Sequence, residues 1–144
     1  MKTKTLLIAF LLTVTTAVVA TETAAGPKGG RMLITDAFRA EFFVTAERRV
    51  EISFQDAAGQ SVPPGAAVVT VTAETAGGRV TLPLVPKDAA LLSSDPLPSG
   101  EPYRVVVQIR TTSGARPTNF RIELNLDECG ECKHAEYACT CEGH

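Results

Sequence analysis

The sequence predicts an all-β fold, and three features of its central part support this. Apolar residues recur at every second position in several short runs, as in strands with one buried face. Residues that favour turns, mainly Gly, Pro, Asp and Ser, separate these runs. No helical pattern of about ten residues lies between them. We therefore expect an antiparallel, immunoglobulin-like β-sandwich of seven or eight strands, with a short Cys-rich C-terminal tail.

The chain begins with the features of a secretory signal peptide. Lys2 and Lys4 supply positive charge, and residues 6–20 form a mostly apolar run that ends in small residues. This run is shorter than the roughly 20 residues that span a bilayer. We therefore expect cleavage after Ala20, a linker over residues 21–30, and a periplasmic or secreted mature protein without a membrane span. A retained N-terminal anchor is the alternative.

The β-sandwich domain is assigned to residues 31–126. Phe42 and Phe43 are adjacent within one candidate strand, so their side chains must point to opposite faces. Pro83 indicates that its strand either ends there or lies at a sheet edge, because proline cannot donate a ladder hydrogen bond. The candidate strands are residues 31–34, 40–44, 50–54, 69–74, 80–85, 103–110 and 120–126.

Composition argues against catalysis and against nucleic-acid binding. Residues 26–126 contain no histidine and no cysteine, so neither a Cys–His pair nor a Ser–His–Asp triad can be assembled there. Basic residues do not form a patch with interleaved aromatics, as a nucleic-acid interface would require. We expect a protein that is not an enzyme. An envelope hydrolase with paired carboxylates is the enzymatic alternative.

The tail, residues 127–144, holds all four cysteines and both histidines. The pattern Cys-x2-Cys-x6-Cys-x-Cys can bring four thiolates onto one tetrahedral ion, with Zn–S distances of about 2.3 Å. Soft thiolates favour Zn²⁺ or Cu(I). The pattern departs from a zinc ribbon in two ways, since no glycine follows the second cysteine and the second pair is CxC. The candidate metal ligands are Cys129, Cys132, Cys139 and Cys141, which His134 and His144 could replace or supplement.

Disulfides are the main alternative, because a signal peptide directs the chain to an oxidising compartment. A bridge between Cys139 and Cys141 would close a strained ring. Two disulfides would therefore join Cys129 and Cys132 crosswise to the second pair. Free thiols with another role are a third interpretation. Tyr137, between the two pairs, is expected to pack over the turn and not to bind metal.

Short motifs within residues 28–62 suggest a related family. Lys28-Gly29-Gly30 precedes a short strand, a second strand carries Glu41, and a third is followed by the D-x-x-G-x-x-V pattern in residues 56–62. This arrangement resembles small periplasmic β-sandwich domains found with bacterial heavy-metal efflux systems of the RND type. Those domains open with His-Gly-Gly, so Lys28 stands at the histidine position and no ligand is carried over. The resemblance implies an extracytoplasmic setting and transition-metal handling.

These features lead to one functional hypothesis and one alternative. The hypothesis is a periplasmic protein whose flexible tail binds Zn or Cu(I), buffers the ion, and passes it to an efflux component or another envelope protein. The alternative is a non-catalytic interaction or structural module of the cell envelope, with a tail stapled by disulfides.

Overall fold

The computed structural model describes residues 25–141, which form two antiparallel sheets and one short helix. The predicted signal peptide, residues 21–24 of the predicted linker, and His144 lie outside the described residues. No helix in the described part of the chain is long and apolar enough to span a bilayer. The strands are β1 (Arg31–Ile34), β2 (Arg39–Val44), β3 (Val50–Gln55), β4 (Ser61–Val62), β5 (Val68–Thr75), β6 (Gly78–Leu82), β7 (Leu84–Lys87), β8 (Ala90–Ser93), β9 (Tyr103–Arg110) and β10 (Thr118–Leu124), and a 3-10 helix follows at Glu136–Ala138.

The predicted all-β class is confirmed. One sheet has the order β1-β2-β3-β8-β7, with β4 also paired to β3, and the other has the order β10-β9-β5-β6. The two sheets share one hydrophobic core, in which Ile52 of β3 and Val107 of β9 are both fully buried. Burial of such a side chain stabilises the fold by roughly 1.5–3 kcal/mol.

The period-two pattern sets which side chains enter this core. In β9, Tyr103, Val105, Val107 and Ile109 are buried, and the residues between them are more exposed. In β2, Phe42 is fully buried, whereas Phe43 faces away and remains half-exposed. The two phenylalanines therefore take opposite faces, as the sequence predicts.

The run of residues 80–85 forms two strands and not one. β6 ends at Leu82 and lies at the edge of its sheet, and β7 begins at Leu84 at an edge of the other sheet. Pro83 lies at the crossing, where its missing N–H costs no ladder hydrogen bond. Three of the four residues of β8 are buried, so this strand lacks the alternation that identifies the others.

An ion pair fixes the turn between β2 and β3 to the loop before β9. The Arg48 guanidinium donates to both carboxylate oxygens of Glu101, at 2.6 and 3.0 Å, and to the Pro98 carbonyl at 2.6 Å. The Leu97 N–H donates to the Arg48 carbonyl at 2.7 Å. The hydrogen bond from Arg48 lowers the pKa of Glu101 to about 2. The carboxylate form is therefore stabilised in the folded protein.

We predict that Glu101→Gln lowers the free energy of unfolding at pH 7 by about 1–2 kcal/mol, because a charge-assisted hydrogen-bond pair is lost. An unfolded glutamate titrates near pH 4.3 and the folded Glu101 well below that value. The stabilisation is therefore complete above about pH 5 and is lost as the pH falls towards 2. Urea unfolding measured between pH 7 and pH 2 should show this loss of stability in the wild type. Glu101→Gln should lack it, because the variant has no carboxylate to titrate. Glu123→Gln, at an exposed position of β10, is the matched control, and equal losses in both variants would contradict the assignment.

Candidate metal centre

The chain after β10 folds back on itself and forms a compact loop, residues 127–141, which we call the cysteine loop. The Tyr137 N–H donates to the Asn125 carbonyl at 3.1 Å, and the Glu136 N–H donates to the Asp127 carbonyl at 2.8 Å. Glu128 and Ala135 form an isolated antiparallel bridge. These bonds hold the two cysteine pairs on opposite arms of one loop.

Tyr137 attaches the cysteine loop to the sandwich. Its side chain is 3% exposed, and its ring packs edge-on against Phe42 with a centroid distance of 5.6 Å. Its hydroxyl oxygen accepts the Val44 N–H at 3.0 Å. Burial raises the pKa of Tyr137. Tyr137 is a packing residue, as predicted, although its ring packs on the core of the sandwich and not over the turn. The segment is docked on this core and is not the flexible tail that we expected.

The first cysteine pair lies on a tight turn. The Cys129 N–H donates to the His134 carbonyl at 2.8 Å, and the Lys133 N–H donates to the Cys129 carbonyl at 3.1 Å. Lys133 has φ 63°, in the left-handed region that glycine adopts most easily. Lys133 therefore takes the backbone conformation that suits a glycine at this place. This is the position, directly after the second cysteine, at which a zinc ribbon has glycine.

The second cysteine pair, Cys139 and Cys141, directly follows the 3-10 helix. The Cys139 N–H donates to the Glu136 carbonyl at 3.2 Å, and the Cys141 N–H points back to Cys139 Sγ at 3.4 Å. Hydrogen bonds from the backbone of Thr140 and then of His134 lower the pKa of Cys132 to about 6. The neighbouring thiol of Cys139 raises the pKa of Cys141. Backbone donors therefore converge on these sulfurs and favour a thiolate at Cys132.

The four sulfurs form a single cluster, with every pair within 4.8 Å. Cys129 Sγ lies 3.4 Å from Cys139 Sγ and 3.7 Å from Cys141 Sγ, and Cys132 Sγ lies 3.6 Å from Cys139 Sγ. A tetrahedron with metal–sulfur bonds of 2.3 Å has sulfur–sulfur edges of roughly 3.8 Å. A disulfide bond is only about 2.05 Å long, and all four cysteines are free. The cluster could therefore hold one tetrahedral ion with small adjustments.

Four of the six predicted ligands lie together, and His134 does not belong to this group. The His134 ring lies beside Gly29, where an added Cβ would come within 3.2 Å of His134 Nδ1. It faces a surface cleft that is also lined by Lys28 and Arg48. His134 contributes its backbone to the turn, through the carbonyl that accepts from Cys129. His144 lies outside the described residues.

Glu41 has a structural role that the sequence patterns did not predict. Its side chain is only 1% exposed, and Oε1 accepts the N–H groups of Lys28 at 2.9 Å and Gly30 at 2.8 Å. A Cβ at Gly26 would lie 2.3 Å from the Glu41 carboxyl carbon, so glycine is required for this approach. Glu41 therefore holds the loop of residues 26–30, which in turn contacts His134. The glycine-rich stretch followed by a glutamate on a strand is the signal that could have indicated this contact.

Substitution of Lys133 tests the left-handed turn. Lys133→Val should lower the free energy of unfolding by about 1–3 kcal/mol, because a β-branched residue strongly disfavours this conformation. Lys133→Gly should be neutral or stabilising. Lys133→Gln is the control for charge, since the exposed pair with Glu128, at 3.7 Å, contributes little. Urea unfolding under reducing conditions gives the three values. A Val variant as stable as the Gln variant would show that the turn does not depend on this conformation.

Two substitutions of Tyr137 separate its packing from its hydrogen bond. Tyr137→Ala should lower the free energy of unfolding by about 3–5 kcal/mol, as expected for removal of a buried aromatic ring. Tyr137→Phe keeps the ring but leaves the Val44 N–H without its acceptor. It should lower the free energy of unfolding by about 1–3 kcal/mol. Hydrogen exchange should show lost protection of residues 127–141 in Tyr137→Ala. Unchanged protection of the loop in that variant would contradict its anchoring by Tyr137.

Comparisons of the chain with known protein families, with curated proteins and with solved structures find no match. The function is therefore inferred from the chemistry of the cysteine cluster and from the sequence.

Proposed function

We propose that this chain is an extracytoplasmic metal-binding protein that holds one soft transition-metal ion through Cys129, Cys132, Cys139 and Cys141. The observation that carries the proposal is the convergence of four sulfurs within 4.8 Å of one another. The extracytoplasmic setting is supported by the signal-peptide pattern and by the resemblance of residues 28–62 to periplasmic domains. No catalytic residue is assigned.

The surroundings of the sulfurs favour a cation. Four thiolates placed this close together would repel one another, and a bound metal ion offsets that repulsion. The N–H group of Cys141 points to Cys139 Sγ, and the backbone of Thr140 donates to Cys132 Sγ. Donors of this kind stabilise thiolates and orient them, as the groups around other metal ligands do.

Zn²⁺ fits the cluster best, and Cu(I) is the second choice. A closed set of four cysteines in a tetrahedral arrangement is a common zinc site, and zinc imposes no competing geometric preference. Cu(I) shares the preference for thiolates. The hard cations Ca²⁺ and Mg²⁺ require oxygen ligands, so they do not fit the sulfur cluster.

The cluster is buried on one side and open to solvent on the other. Cys129 and Cys139 are buried, whereas Cys132 and Cys141 are partly exposed. An ion can therefore be reached by a competing ligand from the side of Cys132 and Cys141. We propose that the protein buffers the ion and releases it to an efflux component or another periplasmic protein through this open side.

The sandwich serves as the body that presents the cluster. We propose that the two sheets are immunoglobulin-like, which is supported by their purely antiparallel pairing and their shared core. The resemblance of residues 28–62 to efflux-associated domains supports a docking role for this body. The alternative function is a non-catalytic envelope module with a disulfide-stapled tail. It is favoured by the crosswise proximity of Cys129 to Cys141 and of Cys132 to Cys139.

The metal content of the purified protein tests the proposal. We expect about one equivalent of zinc per chain after isolation without chelator, with four thiols that titrate only after the metal is removed. Cys132→Ser should weaken zinc binding at least about tenfold, because an incomplete ligand set remains. His134→Ala should retain the metal, since its ring lies outside the cluster. Absence of both metal and titratable thiols would exclude metal binding and leave the disulfide-stapled module.

A further inference from the structure

We infer that the four cysteines also form a thiol–disulfide switch, in which a low-molecular-weight disulfide oxidises them to Cys132–Cys139 and Cys129–Cys141 and the metal is expelled. The release step rests on the proposed metal binding. The pairing rests only on the arrangement of the sulfurs.

Each partly exposed cysteine has a buried cysteine beside it. Cys132 is partly exposed and lies 3.6 Å, sulfur to sulfur, from the buried Cys139. Cys141 is partly exposed and lies 3.7 Å from the buried Cys129. An oxidant in solution reaches the exposed member of each pair, and the buried member is then in place to complete the exchange.

The chemistry proceeds in two exchanges for each pair. The Cys132 thiolate attacks the disulfide RSSR, so that a Cys132–SR bond forms and RS⁻ leaves and takes a proton from solvent. The Cys139 sulfur then attacks the Cys132 sulfur, which forms the Cys132–Cys139 bond and releases a second RSH. The cysteine pair loses two electrons, and RSSR gains two electrons and two protons. Cys141 and Cys129 react with a second RSSR in the same way.

Oxidation removes the ligands from the metal. A disulfide sulfur is no longer a thiolate, and the thiolate is the form that binds the ion. The sulfurs of each pair must approach by roughly 1.6 Å to reach a bond of about 2.05 Å, a distance that side-chain rotation can supply. The loop remains attached to the core through Tyr137. Reduction therefore restores the four thiols in place.

The short distance between Cys129 Sγ and Cys139 Sγ does not give the expected bond. Cys129 and Cys139 are 3.4 Å apart, but both are buried, so neither is the first to meet the oxidant. A bond between them would also leave Cys132 and Cys141 without the buried partners that lie 3.6 and 3.7 Å away. The two accessible cysteines, which lie 3.6 and 3.7 Å from the buried Cys139 and Cys129, therefore favour the crosswise pairing.

Titration of the zinc-loaded, reduced full chain with oxidised glutathione tests the inference. We expect release of about one equivalent of zinc, a mass lower by about four hydrogens, and reversal by a dithiol reductant. Peptide mapping of two variants identifies the disulfide bonds. Proteolytic cleavage after Glu131 places Cys129 and Cys132 on different peptides. Cys141→Ser should form only Cys132–Cys139 and keep Cys129 free. Cys139→Ser should form only the Cys129–Cys141 bond, and Cys132, which then has no resolving partner, should carry glutathione as a mixed disulfide.

The outcomes separate this inference from the proposed function. If zinc binds but stays bound in excess oxidised glutathione, the switch is wrong and the metal site stands. A stable mixed disulfide or a disulfide-linked dimer of the wild-type chain would also overturn the switch, and so would a Cys129–Cys139 bond in Cys141→Ser. If the reduced chain binds no metal, the proposed function fails and the release step with it. The mapping in the two variants then decides the pairing by itself.

Discussion

The contact of Tyr137 with Phe42 is the interaction on which the candidate metal centre depends. Phe42 is fully buried in β2, and Tyr137 adds its ring edge-on and accepts a hydrogen bond from the end of the same strand. This contact fixes the 3-10 helix and, through it, the positions of Cys139 and Cys141. Without it, the second pair would be held only by the backbone hydrogen bonds of the loop, such as those that Glu136 and Tyr137 donate to Asp127 and Asn125. The loop that carries the cluster is therefore docked on the folded core through Tyr137 and Ala138.

The other half of the cluster is organised by backbone hydrogen bonds. Cys129 and His134 are joined across the turn, and Lys133 adopts a left-handed conformation to close it. The loop of residues 26–30, which Glu41 holds, lies beside the His134 ring. Two independent constraints, one aromatic and one from the backbone, thus place four sulfurs in a small volume. A bound metal ion would supply the compensating positive charge, and two disulfides would remove the thiolates altogether.

Much of the fold follows from local patterns, whereas the site depends on contacts between distant residues. Alternation identified β9 and β10, and Pro83 marked the place where the chain changes sheets. β8 was missed because it is buried nearly throughout and does not alternate. The spacing of the cysteines predicted their convergence, since a short loop between two closely spaced pairs can bring all four sulfurs together. The orientation of His134 and the docking of Tyr137 could not be predicted, because Gly29 and Phe42 lie far earlier in the chain.

The central claim is that one metal ion is bound by four cysteine sulfurs. X-ray absorption at the zinc edge of the metal-loaded protein measures the number and type of ligand atoms directly. We expect a single shell of about four sulfurs at roughly 2.3 Å, without the outer-ring scattering that imidazole ligands produce. A mixed shell with nitrogen or oxygen at about 2.0–2.1 Å, or a spectrum of fully hydrated zinc, would contradict the four-cysteine site.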